Sequence, residues 1–317
     1  MIVPITWQPN GSDASWLLLS NNNLKSEKGD GRPPSPPECG NPAHKLFMTS
    51  SNTPVLSEVI DWARQAGALL QSGLGKKHTI EYKGPVNLVT EMDQASEALL
   101  IDLIRSRHPN HKIITEESGS LAGSEGCCWY IDPLDGTTNY AHGLPIYAVS
   151  IGFVADGQQQ LGVVYDPSRD ECFSAECGRG AWLNDQPIHV TGETELQHSL
   201  LVTGFPYSIL TSNNNNLDYF NRFSLRSRAV RRLGSAALDL CYVAMGRFDG
   251  YWELQLQSWD IAAGSLIAAE AGAHLTDLQG GPDFMVPPHS LIVANPAIHA
   301  QMLTVIQETV LKTTAAK

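Results

Sequence analysis

The chain alternates between segments with a helical spacing of apolar residues and shorter apolar runs typical of strands. From Val55, apolar residues recur at intervals of three and four as far as Leu70, which predicts a helix ending near Gly73. Thr90 is a suitable N-cap for a second helix, and Asp93 suits its first turn. Helical and strand-like segments continue to alternate, so the pattern predicts a layered fold of helices and sheets without internal repeats.

The strand signals are strongest in the middle of the chain. Two runs, at 147–154 and 160–165, flank Asp156-Gly157, which predicts a hairpin. Further short strands are expected at 113–114, 129–131, 172–175, 181–183, 199–204, 248–253, 274–277 and 291–294. Further helices are expected at 217–223, 236–245, 260–271 and 297–311.

The N-terminal segment differs from the rest of the chain. Residues 1–54 hold 8 of the 19 prolines and little periodicity, which predicts a disordered extension. Residues 55–312 are expected to form the folded domain, in two sub-lobes of about 55–190 and 191–312, followed by a tail at 313–317.

Composition narrows the classes of function. The chain has 317 residues, of which 42% are hydrophobic, enough for a large core, and its net charge is −12. Such an acidic chain is a poor non-specific binder of nucleic acid or of anionic membranes, so an anionic substrate would need a bound cation. No apolar run approaches the roughly 20 residues of a membrane span, and the start lacks a signal-peptide pattern, which predicts a cytoplasmic protein.

The strongest chemical signal follows the apolar strand that ends at Ile131. The next residues are Asp132, Pro133, Leu134, Asp135, Gly136, Thr137 and Thr138. Pro133 disfavours a helix there, which predicts a turn that brings Asp135 round to face Asp132. Gly136 permits a close approach to a ligand, and the threonines supply hydroxyl and N–H groups at a helix start. Two carboxylates beside a helix N-terminus suit a divalent cation with a phosphate, although an ordinary acidic turn is the alternative.

Other acidic residues fit the same hypothesis but have simpler explanations. Glu116-Glu117 ends another predicted strand, although acidic pairs usually lie in solvated loops. Asp260 opens a predicted helix, where it could be only an N-cap. Five arginines at 222, 226, 228, 231 and 232 form either a solvated or subunit-contact surface or a rim that attracts anionic substrates.

Several motifs together resemble the inositol monophosphatase family, a group of Mg²⁺-dependent, lithium-sensitive sugar phosphatases. The motifs are Glu116-Glu117-Ser118, the segment 132–138 and Trp259-Asp260-x-Ala-Ala-Gly. The resemblance extends to Leu88-Val89-Thr90-x-x-Asp93, Gly234-Ser235-Ala236-Ala237 and Tyr251-Trp252-Glu253. It covers about residues 55–311 in order, and residues 1–54 have no counterpart in it.

The resemblance implies an α/β fold of five layers, αβαβα, and usually a homodimer. It implies a first metal held by Glu116, Asp132 and the Leu134 carbonyl, and a second held by Asp132, Asp135 and Asp260. A weak third ion would contact Glu116 through water, so two or three Mg²⁺ ions are expected.

The resemblance also implies roles toward the substrate. Gly136, Thr137 and Thr138 would contact the phosphate, together with Asp135 and Asp260. Thr137, oriented by Asp93, would help to activate the attacking water. Asp93, Glu116 and Thr137 would therefore be the catalytic residues. Ala236 and Glu253 would contact the alcohol part of the substrate.

The sequence therefore predicts a Mg²⁺-dependent phosphomonoesterase that hydrolyses inositol monophosphate, with no nucleic-acid or membrane partner. No Ser, Cys or His nucleophile with a partner base stands out, which favours direct attack by water. Histidinol-phosphate, fructose-1,6-bisphosphate and 3′-phosphoadenosine nucleotides are alternative substrates, although Glu253 favours a polyol. A non-catalytic regulatory binding protein on the same fold is the alternative from another class.

Overall fold

The computed structural model describes residues 53–82 and 88–315. The predicted disordered extension, apart from residues 53 and 54, lies outside the described residues, as do residues 316 and 317 of the predicted tail. No helix within the described ranges is both long and apolar enough to cross a membrane.

The described residues form seven α-helices at the positions that follow. They are α1 (Leu56–Gly73), α2 (Glu91–Arg107), α3 (Thr137–Ala141), α4 (Leu217–Ser224), α5 (Ala236–Ala244), α6 (Ser258–Glu270) and α7 (Pro296–Ala315). The strands are β1 (Ile80–Tyr82), β2 (Leu88–Thr90), β3 (His111–Thr115), β4 (Gly119–Leu121), β5 (Ser124–Asp135), β6 (Ala148–Ala155), β7 (Gln158–Asp166), β8 (Glu171–Glu176), β9 (Gly180–Leu183), β10 (Gln186–Pro187), β11 (Leu200–Thr203), β12 (Ala229–Arg231), β13 (Gly250–Leu256), β14 (His274–Thr276) and β15 (His289–Ala294).

The strands build two large sheets and one short pair. The larger sheet has the order β10-β9-β8-β7-β6-β5-β3-β4, and its neighbours are antiparallel except for the parallel pair β3 and β5. The smaller sheet has the order β12-β11-β13-β15-β14, with β11 parallel to both β12 and β13. β1 and β2 pair antiparallel by themselves.

The helices occupy three layers around the two sheets. α1 and α2 pack on one face of the eight-stranded sheet, and α5 and α6 lie between that sheet and the five-stranded one. α7 packs on the outer face of the five-stranded sheet together with α4. The order is therefore αβαβα, and the predicted five-layer α/β fold is confirmed.

Helix α6 packs closely against the eight-stranded sheet at two glycine positions, one in β6 and one in β7. A Cβ atom on Gly152 of β6 would lie 2.8 Å from the Cβ of Ala262, and one on Gly162 of β7 would lie 2.7 Å from the carbonyl oxygen of Ala263. Both distances are too short for real contacts, so this close approach requires glycine at both positions. It fixes where α6, and therefore Asp260 at its start, lies over the sheet.

A buried histidine lies in the core beneath α1 and α2. The indole N–H of Trp129 donates to Nδ1 of His111 at 3.1 Å, and the His111 ring is 1% exposed. Burial, followed by the nearby His108 and Arg105, lowers the pKa of His111 from 6.5 to about 4. The core therefore holds this imidazole in its neutral form.

Most of the predicted elements are present, with boundaries that differ by a few residues. The sequence does not predict the short strands β1, β2, β4, β10 and β12, because two or three residues give no measurable periodicity. Strands β3 to β10 belong to the eight-stranded sheet, and strands β11 to β15 belong to the five-stranded sheet. On that basis we propose that the two sub-lobes divide near residue 190.

Candidate functional site

A cavity of about 440 Å³ lies where β3 and β5 end near the first turns of α3, α5 and α6. Its lining includes ten of the eleven residues that the sequence assigns to the site. They are Glu116, Asp132, Leu134, Asp135, Gly136, Thr137, Thr138, Ala236, Glu253 and Asp260. Asp93 is the exception, and it is connected to the lining through Thr137.

The pairing of β3 with β5 explains why Glu116 and Asp132 meet. The two strands are parallel, and Thr115 at the end of β3 is in register with Ile131 of β5. The next residues along the two strands are Glu116 and Asp132, so these two residues lie side by side towards the carboxyl-terminal ends of β3 and β5. This placement follows from the carboxyl ends of parallel strands lying at one edge.

The segment from Asp132 to Asp135 corrects one prediction. It is not a turn after the strand, because β5 continues through it, with an irregular register against β6 between these two residues. Pro133, which has no N–H to donate, lies at this irregularity, and its carbonyl accepts a hydrogen bond from Ser96 Oγ at 2.8 Å. The Leu134 N–H donates to Asp132 Oδ1 at 3.0 Å. The irregularity, rather than a turn, brings both aspartates to the cavity.

Gly136 joins β5 to α3 in a conformation that other residues avoid. Its φ angle is +94°, and a Cβ there would lie 2.8 Å from the carbonyl oxygen of Ile146. Glycine is therefore needed both for the left-handed backbone and for the space. The residues that follow begin α3, as predicted.

Asp93 connects helix α2 to the first residue of α3. Its Oδ2 accepts hydrogen bonds from the Thr90 N–H at 2.8 Å and from the Thr90 hydroxyl at 2.6 Å, which completes the predicted cap of α2. Its Oδ1 lies 2.8 Å from the Thr137 hydroxyl, which is also 3.0 Å from the Leu134 carbonyl oxygen. Burial raises the pKa of Asp93, and the hydrogen bonds from Thr90 and Thr137 oppose that change.

Glu97, one turn after Asp93, holds the loop that carries Glu116. Its Oε2 accepts from Thr115 Oγ1 at 2.6 Å and from the Glu117 N–H at 2.9 Å. Ser118 also donates to it, through both its N–H and its hydroxyl. Sequence analysis missed this residue, although its spacing of four from Asp93 places it on the same helix face.

Asp135 joins β5 to the start of α5. Its Oδ2 accepts from Ser235 Oγ at 2.6 Å and from the Ala237 N–H at 2.8 Å. Burial raises the pKa of Asp135 to about 6, and these two hydrogen bonds oppose the change. The contact connects the edge of the eight-stranded sheet to the helix layer between the sheets.

Asp260 lies in the first turn of α6, three residues after the N-cap. The alternative prediction that Asp260 is the N-cap residue of this helix is therefore wrong. The N-cap is Gln257, whose N–H donates to Asp260 Oδ2 at 2.7 Å. The side chain therefore does stabilise the start of the helix, as a third-position acid of a capping box. It also lines the cavity.

The carboxylates influence one another across the cavity. The pKa of Asp132 is raised well above its ordinary value by burial, and then by the charges of Glu116, Asp135 and Asp260. Burial likewise raises the pKa of Asp260. Within the described residues, no group of three or more His, Cys, Asp or Glu side chains is arranged to hold a metal ion.

Glu253 of β13 also lines the cavity. The Tyr251 hydroxyl donates to Glu253 Oε2 at 2.8 Å, and Gly204 lies directly against the carboxyl group, where a Cβ would collide with it. Burial raises the pKa of Glu253 to about 7. Two further charged residues that sequence analysis did not place here, Arg232 and Asp239, also line the cavity.

The arginine cluster divides between different environments. Among its five members, Arg232 lines the cavity, whereas Arg226 lies 2.6 Å from Glu308 of α7. The hypothesis of a single basic rim therefore has support only at Arg232.

A five-layer αβαβα fold with clustered carboxylates beside a helix start is the architecture of a phosphatase for small phosphorylated compounds. The model of the inositol monophosphatase family matches residues 51–311, and the chain belongs to that family. Members are generally Mg²⁺-dependent.

Three similar proteins illustrate the range of names within the family. The protein named Nus factor SuhB from Pasteurella multocida (strain Pm70) is 43% identical over 257 residues, which is 80% of this chain and 96% of that protein. The chloroplastic phosphatase IMPL1 of Arabidopsis thaliana is 41% identical, over 78% of this chain and 69% of that protein. The solved inositol monophosphatase of Anabaena (Nostoc) sp. PCC 7120 is 41% identical with a TM-score of 0.73, over 80% of this chain and 95% of that one.

Proposed function

We propose that this protein is a Mg²⁺-dependent phosphomonoesterase that converts inositol monophosphate and water into inositol and phosphate. The observation that carries the proposal is the convergence of Glu116, Asp132, Asp135 and Asp260 on one cavity, beside the start of α3. The name of the Anabaena relative supports inositol monophosphate as the substrate.

The donor chemistry of the cavity suits Mg²⁺. Every proposed ligand atom is a carboxylate or carbonyl oxygen, the kind that a hard divalent cation prefers. The raised pKa of Asp132 reflects buried like charges, which a cation would offset. In this proposal Glu116, Asp132 and the Leu134 carbonyl would hold one ion, and Asp132, Asp135 and Asp260 would hold another. When bound, the ions supply positive charge to the phosphoryl and leaving-group oxygens.

The residues of the chain divide the remaining tasks. The N–H groups of Gly136 and Thr137 donate to the phosphate at the start of α3. The Thr137 hydroxyl donates a hydrogen bond to Asp93 Oδ1, so the lone pairs of the Thr137 oxygen can accept a hydrogen bond from the attacking water. Glu253 and Ala236 contact the alcohol part of the substrate.

The finer features of the family are part of the same proposal. We propose that the enzyme is a homodimer in the cytoplasm, which size-exclusion chromatography with light scattering and cell fractionation would test. The alternative substrates are histidinol-phosphate, fructose-1,6-bisphosphate and 3′-phosphoadenosine nucleotides. A second candidate function, regulatory binding without relevant catalysis, is supported by the name Nus factor, which several relatives carry.

Phosphate release from a panel of these esters, with and without Mg²⁺, separates the candidates. The Asp132→Asn variant should lose most of the Mg²⁺-dependent turnover while it remains folded, because one carboxylate serves both proposed ions. Asp102→Asn, an exposed aspartate on α2, is the matched control and should behave as the wild type. Near wild-type turnover by Asp132→Asn at saturating Mg²⁺ would refute the site. Absence of release from every ester would favour the regulatory candidate.

A further inference from the structure

The loop 204–216 joins β11 to α4 and contributes its first residues to the lining of the cavity. The side-chain amide of Asn216, at the end of the loop, donates to the carbonyl oxygen of Gly204, at its start, at 2.5 Å. Asn216 is 2% exposed, and its Oδ1 accepts from the Trp252 indole N–H at 2.7 Å. The two ends of the loop are therefore held together and against β13.

Gln255 of β13 holds the middle of the same loop. Its Oε1 accepts from Ser208 Oγ at 2.7 Å, and its Nε2 donates to the Asn214 carbonyl oxygen at 2.9 Å. The φ angle of Gln255 is +57°, which residues other than glycine rarely adopt, and the pairing of β13 with β15 is irregular at this point. Such backbone strain persists only where surrounding contacts maintain it, and it is concentrated at ligand sites. Gln255 also lines the cavity, so the loop is held at the cavity itself.

Tyr207 is the aromatic side chain of this loop that is open to a ligand. Phe205, two residues earlier, packs against Phe220 of α4, with ring centroids 5.5 Å apart. Tyr207 lines the cavity and is 62% exposed. Among the described residues, none forms a hydrogen bond with its hydroxyl. A molecule in the cavity can therefore reach the Tyr207 side chain, and its hydroxyl is available to that molecule.

The Tyr207 hydroxyl lies within the field of the acidic cluster. Its pKa is raised, first by partial burial in the cavity and then by the negative charges of four residues, Glu116, Asp260, Asp132 and Asp135. A hydroxyl with a raised pKa keeps its proton at neutral pH, so it can donate a hydrogen bond. These four residues are the carboxylates that would hold Mg²⁺, so the hydroxyl acts in the part of the cavity where the phosphate would bind.

We propose that Tyr207 is a substrate-binding residue whose hydroxyl donates a hydrogen bond to an oxygen of the phosphate group. The inference rests on the proposed function and deepens it, because Tyr207 recognises the phosphate that all the candidate esters share and not their alcohol parts. A hydrogen bond to an anionic acceptor is stronger than one to a neutral acceptor. Because the loop is already held in place, little further ordering accompanies binding.

The Tyr207→Phe variant removes the hydroxyl and keeps the ring. The direct probe is inorganic phosphate, whose binding to the protein in the presence of Mg²⁺ is measured by titration calorimetry and does not depend on turnover. We expect Tyr207→Phe to weaken phosphate binding about tenfold, and to lower kcat/KM for inositol 1-phosphate and for glycerol 2-phosphate by the same factor. Since these esters differ only in their alcohol parts, equal losses assign the hydroxyl to the phosphate.

Two control variants separate this role from a general disturbance. Tyr219→Phe makes the same substitution at a residue of α4 that packs against the hydrophobic core. Leu210→Ala changes a side chain of the same loop that is 79% exposed. Both variants should bind phosphate as tightly as the wild type does.

Unchanged phosphate binding by Tyr207→Phe would overturn the inference. A loss confined to one of the two esters would also overturn it, because the hydroxyl would then contact the alcohol part. If the wild type bound phosphate but hydrolysed neither ester, the proposed function would fail, whereas weaker phosphate binding by Tyr207→Phe would still support the inference. If the wild type bound no phosphate in the presence of Mg²⁺, the inference would fail as well.

Discussion

Replacement of Glu97 by alanine tests how the loop after β3 is held. The Glu97 side chain is 3% exposed and accepts hydrogen bonds from Thr115, Glu117 and Ser118, the residues on both sides of Glu116. Without this carboxylate the Thr115 hydroxyl, which is fully buried, and the Glu117 N–H lose their partner. The loop that carries Glu116 would then no longer be fixed against α2.

The expected loss of stability follows from the number and strength of these bonds. Hydrogen bonds to a charged group contribute about 1.5–3 kcal/mol each. The bonds from the Thr115 hydroxyl at 2.6 Å and from the Glu117 N–H at 2.9 Å therefore predict a loss of about 3–6 kcal/mol for Glu97→Ala. Glu97→Gln keeps one acceptor oxygen and the volume, so we expect a loss of about 1–2 kcal/mol.

Urea unfolding measures the stability change, and Mg²⁺ titration of phosphate release measures the effect on the site. We expect both variants to need more Mg²⁺ for half-maximal activity, because Glu116 loses its fixed position. Glu58→Ala is the matched control: its glutamate forms an exposed pair with Arg107 at 3.4 Å and should contribute less than about 1 kcal/mol. If Glu97→Ala unfolded within about 1 kcal/mol of the wild type, the loop would be held by other contacts and the reasoning would be wrong.

Two further predictions concern ions and protons. LiCl should inhibit phosphate release more than KCl at equal ionic strength. Asp260→Asn should weaken both the inhibition by Li⁺ and the activation by Mg²⁺, because Li⁺ and Mg²⁺ would use the same carboxylate. Equal effects of LiCl and KCl would exclude an exchangeable cation site at Asp260. The pKa of His111 is about 4 in the folded state and 6.5 in the unfolded state. The unfolded chain therefore binds the proton at a higher pH than the folded chain does, so the free energy of unfolding falls as the pH drops from 6.5 towards 4. This predicts a loss of roughly 2 kcal/mol between pH 7.5 and 5. His111→Gln should make that dependence less steep in urea unfolding, although not flat, because burial also lowers the pKa of His299 to about 4. An equal slope in the variant would contradict the assignment.

The sequence predicts well those features that depend on neighbouring residues. The cap of α2 by Thr90 and Asp93, the hairpin at Asp156-Gly157 and the helix start after Gly136 all involve residues close together in the chain. Such local devices have one or two favourable backbone geometries, so a short motif is enough to identify them.

Features that depend on distant packing were missed or misplaced. The path of β5 through Asp132 and Asp135 depends on its pairing with β6, and the sequence of the segment alone suggests a turn. Glu97 and Asp239 look like ordinary helical residues until the fold shows one beneath the Glu116 loop and the other at the cavity. Both placements depend on contacts between elements, which no local pattern encodes.

The close contact of α6 with Gly152 and Gly162 has a consequence for the order of biosynthesis. A chain made from its N-terminus can form β3 and β5, and so bring Glu116 beside Asp132, well before Asp260 has been synthesised. Asp260 joins them only when α6 docks against the two glycines, between two sheets that must both be in place. The complete carboxylate cluster is therefore expected to form late in folding, after the strands that carry Glu116 and Asp132 have paired.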